Sequence, residues 1–458
     1  MIPSLNKFQH IFFIGIAGTG MSALAQYLQG IGKNVCGSDR YFLPEIYNET
    51  KEKLEAEKIK CFLQDASGIN ENTDLVIVST AIEDTIDEVL KAKQLNIPIL
   101  KRSELLAMIA AEKKTIAIAG TSGKSTTAAM LFTILEYAQL GPSIISGAGL
   151  VSLQKKGKIG NAKIGNGDWL VIEADESDGS ITQYKSAIGV LLNIEKDHKE
   201  INELIEIFKI FKSNCKNFIV NQSNNLATTF SQNINQDFSI DAESTFGLVA
   251  KNFNQNSEKI EFAIQDISFS INAIGKHNME NALAAIAAAK LAGVNLETSA
   301  AALLGYEGIY RRHQILGSKK GICLIDDYAH NPAKCAASIK ACQLLSPKVI
   351  AWFQPHGYTP TKFLRADFVQ EIANALRPED EIWMSEIFYA GGTASKDISA
   401  NDLIQDLKIK KATAFFVENR NEFLAAVQPH LSNNCVLLLM GARDPSLEDF
   451  AKEIWKNL

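Results

Sequence analysis

Residues 117–130 read Ala-Ile-Ala-Gly-Thr-Ser-Gly-Lys-Ser-Thr-Thr-Ala-Ala-Met. A run of small and β-branched residues turns through Gly120-Thr121-Ser122-Gly123 and passes into helix-forming residues from Lys124. Glycines let a backbone turn tightly and aim N–H groups at phosphate oxygens, and a helix N-terminus adds partial positive charge. Lys124 supplies a point charge, and the hydroxyl of Ser125 or Thr126 has the reach for Mg²⁺ or a phosphate oxygen. The longer consensus for such loops needs a glycine where this chain has Ile118, so the expected loop is a shorter turn. An ordinary strand–turn–helix is the alternative, and the Gly-Lys-Ser-Thr run argues against it.

Outward from this loop the chain alternates strand-like and helix-like segments on both sides. HIFFIGI (10–16), NVCGSD (34–39), LVIVST (75–80) and IPIL (97–100) read as strands with helices between them, the pattern of a parallel sheet. A charged segment at 111–114 then precedes the strand that feeds the loop. Further strands are expected at WLVIEA (169–174), IGVLLNI (188–194) and NFIVN (217–221), followed by short alternating strands between 240 and 274. A third alternating run starts at ICLIDDY (322–328) and continues through VIAWF, EIWMSEI, ATAFFV and CVLLLMG. No short-period repeat interrupts the pattern. The expected fold class is α/β with three domains. A Rossmann-like domain spans 1–111, and a P-loop ATPase-like domain with a small antiparallel addition spans 112–311. A second Rossmann-like domain spans 312–458.

A chain of 458 residues has room for two or three cores. Its net charge of −6 offers no general basic field for nucleic acid or anionic lipid. No apolar run approaches the roughly 20 residues of a membrane helix, and the start, MIPSLNKFQHIFFIGIAG, lacks the basic region of a signal peptide. Seven cysteines without CxxC spacing read as reduced thiols, so a cytoplasmic protein is expected.

Several other segments carry chemistry. In Val171-Ile-Glu-Ala-Asp-Glu-Ser-Asp178, the carboxylates of Glu173, Asp175, Glu176 and Asp178 crowd together and call for a cation. Hard oxygen ligands of this kind suit Mg²⁺ held with nucleotide phosphates, whereas a solvated acidic loop is the bland alternative. Asp197-His198 ends a strand, where open α/β sheets place ligands. Gly275-Lys-His-Asn-Met-Glu-Asn281 opens a helix that carries Asn278 and Asn281 on one face, for a base, a metal-bound group or simple capping. Arg312, in Tyr310-Arg-Arg312, has the charge for phosphate, and Asp327, in Asp326-Asp-Tyr-Ala-His330, suits a ribose or base. Gly15-Ile-Ala-Gly-Thr-Gly20, with Asp39 ending the next strand, is similar to a dinucleotide fingerprint with Ala17 at its second glycine position.

Taken in order, these motifs resemble the Mur ligase family, ATP-dependent enzymes that add amino acids to the peptidoglycan precursor. The resemblance rests on GIAGTGMSALA (15–25), GSD (37–39), GTSGKSTT (120–127), EADESDGS (173–180) and NIEKDH (193–198). It continues in GKHNMENALAA (275–285), RR (311–312), DDYAHNP (326–332) and FQPH (353–356). It implies ATP and Mg²⁺ as cofactors, with UDP-N-acetylmuramate and an amino acid as small-molecule substrates. Neither nucleic acid nor membrane would be a partner, and the chain would be a monomer or homodimer.

The resemblance also implies roles. Gly15, Ala17, Gly18, Gly20, Met21, Ser22 and Asp39 would bind the UDP-sugar. Gly120, Thr121, Gly123, Lys124, Ser125 and Thr126 would hold ATP. Ser125, Glu173 and His198 would face Mg²⁺, and Lys124, Glu173, His198 and His330 would carry the catalysis. Asn278 and Asn281 would face the adenine, Arg312 and Asp327 would close over the nucleotide, and His330 and His356 would lie near the amino acid. The substrate carboxylate would attack the γ-phosphate, and the amine would then attack the resulting acyl phosphate.

One departure leaves the amino acid open. Where the most similar branch of the family reads HRYTRT, this chain reads His356-Gly-Tyr-Thr-Pro-Thr361, with Gly357 and Pro360 replacing two arginines. Lys362 and Arg365 follow and are the expected substitutes. A dehydrogenase would use the Gly15–Gly20 turn but leave the Lys124 loop unexplained. A ligase of the family's muramyl-tripeptide (recycling) type and a non-catalytic UDP-sugar-binding homologue are further alternatives.

Overall fold

The computed structural model describes all residues except 1–4, 80–81, 178, 196–198, 257, 390–394 and 445. Two compact units emerge. One comprises Met1–Asn252, Phe262–Ile271 and His277–Ile309; the other comprises Phe253–Glu261, Asn272–Lys276 and Tyr310–Leu458.

The first unit contains two parallel sheets. β1 (His10–Ile14), β2 (Asn34–Ser38), β3 (Lys60–Phe62), β4 (Leu75–Val78) and β5 (Ile99–Lys101) lie in the order β3-β2-β1-β4-β5. The chain leaves β1 toward one side and later crosses to the other, so the turn after β1 sits at a switch point, where such sheets take ligands. β6 (Lys114–Ala119), β7 (Ser143–Ile145), β8 (Ala162–Lys163), β9 (Trp169–Ala174), β10 (Ser186–Leu191) and β11 (Cys215–Val220) form the second sheet, ordered β11-β10-β6-β9-β7-β8. Only β8 runs antiparallel to its neighbour. β6 lies between β9 and β10, which puts the Gly120–Gly123 loop at the second switch point. The strand residues are apolar on both faces because helices cover both. Ile11 and Phe13 of the first sheet, with Leu24 of the helix Thr19–Gly30, share one core with Ala117 and Ile172 of the second sheet and Phe208 of the helix Ile201–Ser213.

Asn161 joins the two sheets' helices and strands. It is fully buried; its Nδ2 donates to Thr19 O at 2.7 Å and to Ser22 Oγ at 2.9 Å, and its Oδ1 accepts from Gln26 Nε2 at 2.8 Å. All three partners lie on the helix Thr19–Gly30 that follows the first ligand-side turn. Replacing Asn161 with Ala strands those partners away from water, at about 1–3 kcal/mol for each unsatisfied group. The expected result for Asn161→Ala is a loss of about 3 kcal/mol in denaturant unfolding. A midpoint equal to that of the wild type would mean that water replaces the amide.

β12 (Phe238–Ser239), β13 (Leu248–Gln255), β14 (Ile260–Ile264) and β15 (Ile267–Ile271) make the small addition, in that order. The expectation of a wholly antiparallel addition is corrected at one edge, since β12 pairs with β13 in parallel.

The remaining strands belong to the second unit: β16 (Gln314–Lys319), β17 (Ile322–Asp327), β18 (Lys348–Gln354), β19 (Glu381–Met384), β20 (Ala414–Phe416) and β21 (Cys435–Gly441), ordered β16-β17-β21-β18-β19-β20. β16 is antiparallel to β17 and the others are parallel. The period of two sends Val436, Leu438 and Met440 into one core and Cys435, Leu437 and Leu439 into another, one on each face. Among the described residues no helix is long and apolar enough to cross a membrane.

Candidate active site

The loop after β6 is held open by its own backbone. Gly120 has φ +136° and Gly123 has φ +88°, the left-handed region that glycine enters without strain. Gly123 caps the helix Lys124–Tyr137 and, having no side chain, leaves the first-turn N–H groups without a capping acceptor. Behind the loop, Asn193 Oδ1 accepts from Thr121 Oγ1 and from Ser122 N, each at 2.9 Å, while its Nδ2 donates to Ser122 O at 3.2 Å. Sequence reading quoted Asn193 but gave it no role; its place at the end of a strand beside the loop's own strand was the available signal. Thr121 is buried, and Thr126 is half-buried one position beyond Ser125.

The acidic segment meets this loop. Lys124 Nζ donates to Gly120 O at 2.7 Å and to Glu176 Oε2 at 2.8 Å, and Asp175 Oδ1 lies 4.0 Å away. Burial would lower the Lys124 pKa, but the charges of Glu176, Asp175 and Glu173 outweigh it and raise the amine above its ordinary value. Lys124 is therefore a fixed cation. Burial likewise pushes Asp175 up, and the Lys124 charge with Ser177 more than reverses it. Glu173 takes three donors: Ser125 Oγ at 2.8 Å, Ser146 Oγ at 2.8 Å and Gly147 N at 2.6 Å. A hydroxyl and a carboxylate side by side, next to free helix N–H groups, fit an Mg²⁺ that keeps most of its waters and phosphate ligands. Among the described residues no cluster of three or more His, Cys, Asp or Glu side chains could hold a metal without such help. His198, expected at a metal, lies outside the described residues, as do Asp197 and Asp178.

Asn278 and Asn281 are both buried in the helix Lys276–Leu291. Asn281 Oδ1 accepts from Thr127 Oγ1 at 3.3 Å, and its Nδ2 donates to Asn278 Oδ1 at 3.3 Å. The same oxygen would lie 2.3 Å from a Cβ built on Gly123. The Asn281 amide braces the loop through Thr127.

At the first switch point, Gly15 has φ +78° and Gly18 starts the helix Thr19–Gly30. Asp39 Oδ2 accepts from Ala17 N at 2.9 Å and Oδ1 from Tyr41 N at 3.1 Å, so this buried carboxylate closes the turn onto β2. Gly20 packs against Arg102, whose side chain would lie 3.0 Å from an added Cβ. Substrate contact from Met21 and Ser22 is corrected. Both are buried, their N–H groups bond Gly18 O, and Ser22 Oγ serves Asn161. The helical period turns this pair toward the core, leaving Gly15, Ala17, Gly18 and Gly20 at the turn.

In the second unit, Arg312 lies over the Tyr328 ring at 4.8 Å. Asp327, expected to face a nucleotide, is buried and engaged instead: His313 Nδ1 lies 3.1 Å from its Oδ2, and Ser338 Oγ donates to the same oxygen. His313 Nε2 also faces Ser338 O at 3.3 Å. Nδ1 faces a carboxylate and so carries a proton, and Nε2 lies 3.3 Å from Ser338 Oγ as well. Burial would lower the His313 pKa, but the Asp327 carboxylate raises it well above the usual value, and burial of Asp327 is in turn outweighed by His313, which lowers that carboxylate. The raised histidine contributes stability that is complete below about pH 6.5 and drains as pH rises through its folded value; the lowered aspartate contributes above about pH 4 and loses it on acidification. Breaking such a buried pair costs about 3 kcal/mol or more. The gap in stability between wild type and His313→Gln should be widest near pH 6 and narrow as pH rises through the raised folded-state value of His313. A gap independent of pH would mean that His313 is neutral.

His330 and His356 stand with ring centroids 5.6 Å apart. His330 Nδ1 lies 2.8 Å from Tyr328 O, which can only accept, so Nδ1 carries the proton and Nε2 keeps its lone pair. Burial, with the charges of Lys334 and Arg312 and the neighbouring His356, pushes His330 down to about 3. It is thus a neutral hydrogen-bond acceptor at any ordinary pH. Lys362 and Arg365 do not replace the missing arginines: Lys362 pairs with Asp397, and Arg365 Nε lies 2.7 Å from Asp406 Oδ2.

With a phosphate-type loop, a cation among carboxylates and further mostly parallel sheets before and after it in the chain, the chain belongs to the Mur ligase family. The family's catalytic domain matches residues 10–114, its middle domain 118–289 and its glutamate ligase domain 311–443. The chain is 34% identical to the UDP-N-acetylmuramate–L-alanine ligase of Carboxydothermus hydrogenoformans, over 96% of this chain and 95% of that one. It is 34% identical to the enzyme of the same name from Dictyoglomus turgidum, over 95% and 94%. Its fold matches the crystal structure of the UDP-N-acetylmuramate–alanine ligase of Thermotoga maritima with TM-score 0.79 and 24% identity, covering 98% of both chains. A murein peptide ligase from Psychrobacter arcticus matches with TM-score 0.67 and 20% identity, again over 98% of both.

Proposed function

We propose that this chain is an ATP-dependent ligase of peptidoglycan precursor synthesis. It would join L-alanine, or a related amino acid, to the carboxylate of UDP-N-acetylmuramate through an acyl phosphate. The observation that carries the nucleotide half is the Lys124 ammonium, fixed between the glycine loop and the Glu173–Glu176 segment. The relatives that share about a third of their residues over nearly the whole chain support the substrate half.

In this reading Lys124 exchanges Glu176 for the γ-phosphate and stabilises charge on the transferring group, the usual dominant contribution in phosphoryl transfer. The first-turn N–H groups orient the phosphates. Ser125 and Glu173 would hold Mg²⁺, which supplies neutralising charge. His330, neutral with Nε2 open as an acceptor, would orient the incoming amine, and His356 would stand beside it. Arg312 is the proposed phosphate contact of the second unit. The turn at Gly15, Ala17, Gly18 and Gly20 would take the UDP-sugar, with Asp39 shaping it. The proposal places the protein in the cytoplasm, as a monomer or homodimer, with domains at 1–111, 112–311 and 312–458.

A second reading, a recycling ligase that joins a preformed tripeptide to UDP-N-acetylmuramate, is favoured by Gly357 and Pro360, since the loss of two guanidinium groups suits an acceptor other than free alanine. The test is phosphate release with components omitted in turn. Release should need ATP, Mg²⁺, UDP-N-acetylmuramate and an amine together, with alanine preferred over the tripeptide. Brisk hydrolysis of ATP with Mg²⁺ alone would mean an unrelated NTPase, and turnover with the tripeptide only would select the second reading.

A further inference from the structure

We infer that Arg443 is the carboxylate anchor of the amino-acid site, replacing the guanidinium groups that Gly357 and Pro360 cannot provide. The inference rests on the ligase reading above and assigns the residue that sets its acceptor specificity.

Three observations carry it. The first is register. β21 lies between β17 and β18, and Met440 pairs with Asp327 on one side and Phe353 on the other. His330, His356 and Arg443 are each three residues beyond that level. The chain thus places Arg443 on the middle strand's exit loop, between the exit loops that bring the two histidine rings within 5.6 Å. This is the carboxyl edge of a parallel sheet, where ligands bind.

The second is backbone strain. Arg443 has φ +61°, and Asp444 N donates to Ala442 O at 2.8 Å across it. This is a γ-turn of the uncommon positive-φ kind, which costs an L-residue energy that glycine would avoid. The turn is pinned because Asp444 is buried and bonded to Arg420, which also bonds Gln354 Oε1 at 3.0 Å. A long cation held in a conformation that favours glycine calls for a use.

The third is availability. Arg443 is exposed, and among the described residues its guanidinium makes no hydrogen bond, ion pair or ring contact. Arg311, Arg365, Arg377 and Arg420 are each paired with an aspartate, and Arg312 is laid on Tyr328. Lys334 and Arg312 are the cations whose charges lower the His330 pKa, and Arg312 already lies on a ring. A guanidinium fork is the best single partner for a carboxylate. A small amino acid then spans from the fork to the neutral imidazole acceptor with its amine.

The experiment compares wild type, Arg443→Gly and Arg443→Lys, varying L-alanine and, separately, L-alaninamide, which has the amine but no carboxylate. Loss of one charge-assisted bidentate contact should raise the alanine KM roughly 10- to 150-fold in Arg443→Gly. The KM values for L-alaninamide, ATP and UDP-N-acetylmuramate should stay unchanged, and Arg443→Lys should recover part of the loss. The thermal midpoint of Arg443→Gly should hold or rise, since glycine relaxes the turn. An unchanged alanine KM, an equal rise for both amines, or a rise confined to Lys334→Ala would overturn the inference. A wild type that ligates no amino acid would count against the function itself; calorimetric titration of L-alanine would then test the anchor directly, and equal affinities in wild type and Arg443→Gly would overturn it.

Discussion

Lys124→Ala should lower kcat for ligation by about 10²–10³-fold or more, because in the proposed mechanism this ammonium would face the transferring phosphate. UDP-sugar affinity should be nearly unaffected, since the first switch point lies on a different sheet from the Lys124 loop. Stability is the confounding effect. Lys124 and Glu176 side chains are 15% and 4% exposed, so removing the lysine leaves a buried carboxylate without its partner, at a cost of about 3 kcal/mol. The double variant Lys124→Met/Glu176→Gln removes both charges and should regain much of that stability while remaining inactive. Calorimetry with the UDP-sugar, a melting curve and a turnover assay on both variants separate the effects. Recovery of turnover in the double variant would show that Lys124 acts only by balancing Glu176.

Gly123→Ala should also be severe. At φ +88° a Cβ costs about 1–2 kcal/mol by itself. The added atom would further lie 2.3 Å from Asn281 Oδ1 and 3.2 Å from Leu192 Cδ1. Asn281 is buried and bonded to Thr127, so the loop, not the amide, is the part that yields. Nucleotide affinity should fall at least about tenfold, the equivalent of 1.4 kcal/mol. Adding Asn281→Ala should return part of it by clearing the clash but not the backbone strain. ATP titration settles the matter: wild-type affinity in Gly123→Ala would mean that the loop binds nucleotide in another conformation.

Both predictions rest on residues whose meaning was legible to different degrees. The glycines at 120 and 123 and the lysine at 124 were readable because a tight turn into a helix dictates local chemistry within a few positions. The identity of the lysine's partner was not. Glu176 lies 52 positions away, and only the pairing of β6 with β9 sets the acidic segment against the loop. The same limit explains Asn281. Spacing put two amides on one helix face, but whether that face meets a ligand or the underside of a loop depends on packing across 154 positions.

By itself the sequence determined the α/β alternation and the two glycine turns that leave β1 and β6, which follow from periodicity and local backbone chemistry, and its ordered motifs carried the resemblance to the family. Tertiary structure alone decided the remainder. It turned Met21 and Ser22 into the core, committed Asp39 to Ala17 and Tyr41, gave Asp327 to His313 and Ser338, and tied up Lys362 and Arg365 with aspartates. It also left Arg443 exposed on a strained turn at the sheet's carboxyl edge. The physical reason is common to these cases. A polar side chain is bound by whichever partner lies within about 3 Å, and that partner is fixed by sheet order and register, which local sequence does not encode.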